Sequence, residues 1–214
     1  LAAGYKNTAN GVASSSVGWQ NSADGEHASA FGYENTASGR LSSAFGYENT
    51  ASRVASSAFG YENTASGRQS SAFGYKNTAS GDYSSSVGWQ NSADGEYASS
   101  FGYKNKASRL GSSAFGFINT ASGLESSAFG FINTASGSES SAFGHRNTAS
   151  GKYSSAFGNK YKVTGEASGA FGTGETKWND TTKEYDYSYI NEGNNSFMIG
   201  NYNKIASGSN NNFI

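Results

Sequence analysis

Apolar and polar positions along this chain keep a frame of fourteen residues. Counted from a glycine as position zero, the preceding residue is Phe in most units: Phe31, Phe45, Phe59, Phe73, Phe101, Phe115, Phe129, Phe143, Phe157 and Phe171. Val17, Val87 and Ala3 take that place in the others. Half a unit away, position +5 is Ala9, Ala23, Ala37 and onward to Ala149, then Val163, with Ser, Thr, Asn and Gly between the two columns. Fourteen residues cannot hold two helices and a turn, whereas Phe, Tyr, Thr, Ser and Val with regular glycine suit short strands and tight turns. Each unit is therefore predicted to be one winding of a β-solenoid, its strands pairing in parallel with their copies about 4.8 Å away. The frame is unbroken from Gly4 to Gly172, which predicts a rod of roughly 60 Å at that spacing.

The Phe column is expected to be the structural core, facing the small +5 column across a thin interior, large side chain opposite small. The zero positions, among them Gly18, Gly32, Gly46, Gly60, Gly74, Gly88, Gly102 and Gly116, are the expected turn glycines, where the backbone takes a positive φ. Position +7 is usually glycine too, but it is Arg53 and Arg109 in two units, so that turn makes no such demand.

Ser15–Glu26 and Ser85–Glu96 repeat the same wording seventy residues apart, which points to duplication of a five-unit block. Three segments follow from the frame: a regular roll over 1–172, degenerate windings or an inserted loop over 173–194, and a resumed repeat over 195–214. Tyr185, Asp186 and Tyr187 fall in the Phe-Gly-Tyr slots of the frame, which favours two degenerate windings.

Composition narrows the classes. The net charge is −1 with only 14% charged residues, so nothing favours nucleic acid or an anionic membrane surface as a partner. The absence of cysteine rules out disulfide staples and thiolate metal sites, and the absence of proline suits a chain whose N–H groups join ladders. One Phe and one small apolar residue per fourteen is little burial to set against the entropy of ordering the winding. With no cysteine and only sporadic Asp for calcium, oligomerisation is the expected remedy. No 18-residue apolar stretch or signal peptide is present and the chain starts at Leu1, so it reads as an excerpt of a longer protein.

The repeated Ser-x-Ala-Phe-Gly, as at 42–46, followed by Asn49-Thr50-Ala51-Ser52, resembles the head repeat of trimeric autotransporter adhesins, the YadA-like heads. Asn195-Ser196-Phe197-Met198-Ile199-Gly200 is nearer still to that family's wording. The resemblance implies an all-β, single-stranded, left-handed parallel β-roll assembled as a homotrimer. It also implies display outside the bacterial cell, anchored in the outer membrane through regions absent here. The implied work is non-enzymatic attachment to a host extracellular matrix protein, glycan or other surface, with no cofactor, no metal, no nucleic acid and no membrane contact in this segment. The chain departs from the family in using Phe where Ile, Val or Leu is usual. A trimeric phage or viral fibre shaft is the alternative, and an ice-binding solenoid a minor one.

Three columns are candidates for contact. Position +1 is aromatic, with Trp19, Tyr33, Tyr47, Tyr61, Tyr75 and Trp89 as a candidate ligand-contact ladder, to be weighed against a purely structural stack. Asn at +3, from Asn7 to Asn147, suits an amide ladder or the satisfaction of turn backbone groups. Hydroxyl pairs at +4 and +6, such as Thr36 and Ser38, form the surface an ice-binding reading would need, but Lys106, Lys162, Asp24 and Asp94 interrupt it. The charges at the variable positions +2, +8 and +9, among them Lys6, Glu34, Arg40, Arg68, Lys76, Glu125, Arg146 and Lys152, mark solvent-facing sites where ligand contacts are to be sought, to be weighed against a role in solubility alone. His27 and His145 sit in different columns with no carboxylate pair or nucleophile elbow, so no catalytic residue is expected.

Overall fold

The chain is all strand and turn. A computed structural model describes residues 1–214, the side chains of Glu184 and Tyr185 excepted. It forms two compact units, Leu1–Leu110 and Gly111–Ile214.

In the first unit each winding contributes one long and one short strand, as in Ser43–Tyr47 and Thr50–Ala51. The long strand pairs in parallel with the next, Phe45 on Phe59, Gly46 on Gly60 and Tyr47 on Tyr61. The short strands repeat this across the winding, Thr36 on Thr50 and Ala37 on Ala51. The fold is the parallel β-solenoid expected from the period.

The interior differs from expectation in what fills it. Successive residues of a strand point to opposite sides, and in the long strand it is Ala at −2, not Phe at −1, that points in. Ala30, Ala44, Ala58 and Ala72 are fully buried, as are Ala23, Ala37, Ala51 and Ala65 at +5. Buried Ser at −4, for example Ser42 and Ser56, and buried Asn at +3 complete the lining. Phe31, Phe45, Phe59, Phe73 and Phe101 are only half-buried on the outer side of the long strand. A winding closed by a five-residue and a two-residue strand leaves no width for a phenyl ring, so small residue faces small residue.

Asparagine binds the windings together. Asn63 Nδ2 donates to the carbonyl oxygens of Phe59 at 3.0 Å and Gly74 at 2.7 Å, and also to Asn49 Oδ1 at 3.0 Å. Its own Oδ1 accepts from the backbone and side-chain amides of Asn77, both at 3.0 Å. The same pattern recurs at Asn21, Asn35, Asn49, Asn77 and Asn91. Long-strand carbonyls on either side of the zero glycine, which point inward, are thereby satisfied inside the roll.

The second unit repeats the scheme, with Phe129 on Phe143 and Thr120 on Thr134. Phe115, Phe129, Phe143 and Phe157 are again outside and half-buried, and Phe171 is exposed; the core is Ala114, Ala128, Ala142 and Ala156. Among the described residues the widest interior side chains are Tyr161, in the slot that Asn occupies elsewhere, and Met198 at −2. The Tyr161 hydroxyl donates to the Gly200 carbonyl at 2.8 Å.

The irregular stretch after Gly172 is one winding with an insertion, not two windings. The strand Gly169–Thr173 pairs directly with Phe197–Ile199, and Val163 pairs with Asn191. Between them Thr176–Asn179 and Glu184–Tyr187 form an antiparallel hairpin. Asp186 and Tyr187 lie on its returning strand, and the Tyr185 side chain lies outside the described residues. The Tyr187 hydroxyl donates to the Arg146 carbonyl at 2.9 Å and lies 3.1 Å from Thr148 Oγ1, which ties the hairpin to the outer side of the short strands. The insertion is a whole repeat long, so counting alone could not tell it from a second winding.

The two glycine columns answer different constraints. The zero glycines lie within the long strands and not in turns, Gly46 in Ser43–Tyr47 and Gly60 in Ser57–Tyr61; φ there is +119°, a value L side chains rarely adopt, and a Cβ at Gly60 would overlap the carbonyl of Gly74. At +7 no such φ occurs; a Cβ at Gly67 would also overlap a carbonyl, that of Gly81, and approach Asp82 N, so there the demand is contact alone, which a backbone shift can relieve. Arg53 shows the adjustment: its N–H donates to Ser56 Oγ at 3.2 Å, where Gly39 and Gly67 donate to the next winding. Gly60→Ala is expected to cost more than ~2 kcal/mol, and Gly67→Ala distinctly less, in unfolding followed by circular dichroism. Equal losses would contradict this division of roles.

Candidate functional site

The outward positions of the long strands, −3, −1 and +1, make a face of serine and two aromatic columns. In the first unit Phe31, Phe45, Phe59 and Phe73 stack at centroid separations of 4.9, 4.8 and 5.1 Å. Beside them runs the +1 column. Trp19 lies 6.4 Å from Tyr33, the tyrosines 33, 47, 61 and 75 follow at 4.8, 4.7 and 5.1 Å, and Trp89 lies 3.9 Å from Tyr75. The second unit carries the same two columns, Phe115–Phe129–Phe143–Phe157–Phe171 and Phe117–Phe131–His145.

These rings are nearly parallel, Tyr33 and Tyr47 within 3° and Phe45 and Phe59 within 2°. Each ring spends its faces on its neighbours and shows the outside an edge. A sugar ring needs an aromatic face, so the ladder is not a stacking platform for glycans. It is a ribbed apolar surface: Trp19 is 43% and Trp89 44% exposed, and Tyr33 and Tyr61 are nearly as open. So large an exposed apolar face marks an interaction surface.

Polar turns flank this face on both sides. At the exit of each long strand, position +2 holds Gln20, Glu34, Glu48, Glu62, Lys76, Gln90 and Lys104, all with φ near +50°. The tyrosine hydroxyls lean on these carboxylates. The hydrogen bond to Glu48, together with desolvation and its negative charge, pushes the Tyr47 phenol up to about 12. Tyr33 and Tyr61 are raised likewise, chiefly by Glu34 and Glu62. Lys76 pairs with Glu62 at 3.1 Å and lies 5.3 Å from the Tyr75 ring centre. At the entry of each long strand, Asp82 accepts from the backbone N–H and the Nε of Arg68, both at 2.8 Å, which holds its carboxyl below the usual range. Tyr83 and Tyr97 stack there at 5.0 Å.

The outer side of the short strands is a hydroxyl surface, and its interrupting acids are absorbed by it: Asp24 accepts from Ser22 and Asn10, and Asp94 from Ser80 and Ser92. His27 sits 3.6 Å from Glu26 at an exposed turn, and His145 Nδ1 lies 2.9 Å from Asn159 Oδ1 in the aromatic column, so the two histidines are not brought together. Among the described residues no three His, Cys, Asp or Glu are grouped to hold a metal ion, and no helix is long and apolar enough to cross a membrane. The residues sequence reading missed are the interior alanines at −2 and serines at −4. Their signal was size: −2 admits only Ala or Ser in the regular windings that hold Phe or Val at −1.

The Tyr–Glu contacts have a measurable consequence. Each phenol donates to a carboxylate, so the folded chain keeps that proton past the ordinary value of 10.0. Between pH 10 and about 12 the folded state binds more protons than the unfolded one, so stability falls as pH rises through that window. Tyrosinate absorbance should show a component with a midpoint near 12, and Glu48→Gln should move it toward 10. An unshifted midpoint in that variant would remove the carboxylate as the cause.

The model for the YadA head domain repeat (2 copies) matches the chain at 9–35, 37–63, 65–91, 93–117, 110–131, 121–145 and 135–160. No individually curated protein matches it. With in-register fourteen-residue windings beneath those matches, the chain belongs to the YadA head domain repeat family.

Proposed function

We propose that this chain is the head of a non-enzymatic bacterial surface adhesin that works as a homotrimer and attaches the cell to a host matrix protein, glycan or other surface. The observation that carries it is the family repeat running through residues 9–160. The aromatic face supports the trimeric part. Phe45, Phe59 and Phe73 are apolar groups displaced from an interior that cannot hold them, and a single chain leaves them half-open to water. Turned toward a common axis, three such faces cover one another and supply the burial that a lining of Ala, Ser and Asn does not.

This arrangement leaves the hydroxyl side of the short strands and the hairpin at 176–187 facing outward, with Trp178 45% exposed on the hairpin. Attachment then comes from three copies of each outward surface, so that modest individual contacts add through effective concentration.

Sedimentation of the chain should give a species of three times 22.3 kDa. Phe45→Asp with Phe59→Asp should shift it toward monomer. A wild-type chain that stays a folded monomer would overturn the trimer. Beads coated with the chain should adhere to immobilised matrix protein or glycan, or to host cells, and should keep doing so when Ser38 and Ser52 are untouched but lose adhesion when the outward surfaces are blocked by antibody. Failure to adhere to any of these would remove the adhesive reading.

A further inference from the structure

The two flanks of the aromatic face carry opposite charge, level by level. At the entry to successive long strands of the first unit stand Arg40, Arg53, Arg68, Asp82 and Glu96; at the exits stand Glu34, Glu48, Glu62, Lys76, Gln90 and Lys104. The sign reverses on both flanks at the same height, between Arg68 and Asp82 on one side and between Glu62 and Lys76 on the other. At those reversals the charges pair along their own flank, Arg68 with Asp82 at 2.8 Å and Lys76 with Glu62 at 3.1 Å. Above them, among the described residues, no ion pair engages Arg40, Arg53, Glu34 or Glu48. Glu34 has only Gln20 at 3.3 Å and the Tyr33 hydroxyl, and Glu48 the Tyr47 hydroxyl.

Within one chain these flanks cannot neutralise each other. A five-residue strand holds them at least ~16 Å apart, beyond the ~8 Å over which charges in physiological salt interact. Each flank therefore stacks like charges in consecutive windings, which is unfavourable unless an opposite charge lies alongside. A second copy supplies it. When parallel copies turn their long strands to a common axis, all strands run in the same sense around that axis, so the entry flank of each copy meets the exit flank of the next. The heights agree as well. In a uniform winding rising about 4.8 Å per fourteen residues, Arg40 comes between the neighbour's Glu34 and Glu48, about 2–3 Å from the level of each. Arg53 comes between Glu48 and Glu62, Arg68 between Glu62 and Lys76, Asp82 between Lys76 and Gln90, and Glu96 between Gln90 and Lys104. Glu26, with His27 3.6 Å from it, comes between neutral Gln20 and Glu34, the one level where an acid meets an acid.

We infer that copies of this chain assemble by setting the basic entry flank, Arg40 and Arg53, of one copy against the acidic exit flank, Glu34 and Glu48, of the next. The contact fixes parallel orientation and axial register, which a uniform stack of aromatic ribs does not: sliding by one winding leaves Phe on Phe, but sliding toward the reversal takes Arg68 away from Glu62 and sets it between Lys76 and Gln90, with no acid beside it. The inference rests on the trimeric reading above and adds the partner face and its register.

The test uses the full chain in four forms: wild type, Glu34→Arg with Glu48→Arg, Arg40→Glu with Arg53→Glu, and all four together. The glutamates can be exchanged because Lys76 and Arg146 occupy the same turn position at φ 53° and 55°. Sedimentation at low salt should show each double variant dissociating at least tenfold more readily than wild type, and the fourfold variant, with its flanks exchanged, returning to within about threefold. Sodium chloride should weaken the wild-type assembly, a reading that needs no variant to fold. A wild-type trimer indifferent to salt, or a fourfold variant no better than the doubles, would overturn the flank pairing while leaving the trimer standing. A monomeric wild type would overturn both.

Discussion

Backbone laid on backbone every fourteen residues is the constraint from which the rest of this structure follows. At the zero position, inside the long strand, a φ of +119° brings the chain so close to the carbonyl of the next winding that no side chain fits, and Gly60 is held there by geometry and by contact at once. A winding so tight encloses only a sliver of interior. Ala at −2 and +5, Ser at −4 and Asn at +3 are what that sliver accepts. The asparagine does two jobs in it, filling space and satisfying the long-strand carbonyls that point inward, with Asn63 joined to Phe59, Gly74, Asn49 and Asn77.

A narrow interior displaces the large apolar groups, and the displaced groups become the outer surface. Phe at −1 and the aromatic at +1 lie on the side of the strand opposite Ala at −2, and a Phe or Tyr ring meets its like one winding on at close to 4.8 Å, as Tyr33 meets Tyr47 and Phe45 meets Phe59. Stacking in this way is compatible with Phe, Tyr or Trp at one position, because what is required is a flat ring and not a particular edge. It also explains why the face is unsuited to gripping a sugar and suited to meeting another rigid face, where ribs settle against ribs.

The period, the parallel pairing and the zero glycines were legible in the sequence because each is imposed once per winding and so is written once per repeat. Arg53 and Arg109 already separated the two glycine columns before any backbone angle was in view. The phase of the long strand was not legible in the same way. Ser-Ser-Ala-Phe-Gly alternates equally well with Phe inside or outside, and hydrophobicity alone prefers it inside; only the width of a closed winding reverses the choice. The hairpin at 176–187 was hidden for a different reason. Its insertion preserves the fourteen-residue count between Gly172 and Gly200, so Asp186 and Tyr187 fall into slots they do not occupy.

Where the repeat relaxes, the interior changes with it. Tyr161 replaces Asn in the last regular winding, is fully buried, and reaches with its hydroxyl to the carbonyl of Gly200, three repeat lengths less three residues further on. Burial raises the pKa of that phenol, as it does for Tyr187, whose hydroxyl reaches back to Arg146. One aromatic thus enters the roll from the winding side, through a zero-position carbonyl of the kind the asparagine ladder serves elsewhere, while another fastens the inserted hairpin to its outside through the +2 carbonyl of Arg146. The amide column is therefore a local solution to a general requirement: each carbonyl turned into the roll needs a donor from within the winding, and a tyrosine hydroxyl supplies it from inside where the interior opens enough to admit a ring, as at Tyr161.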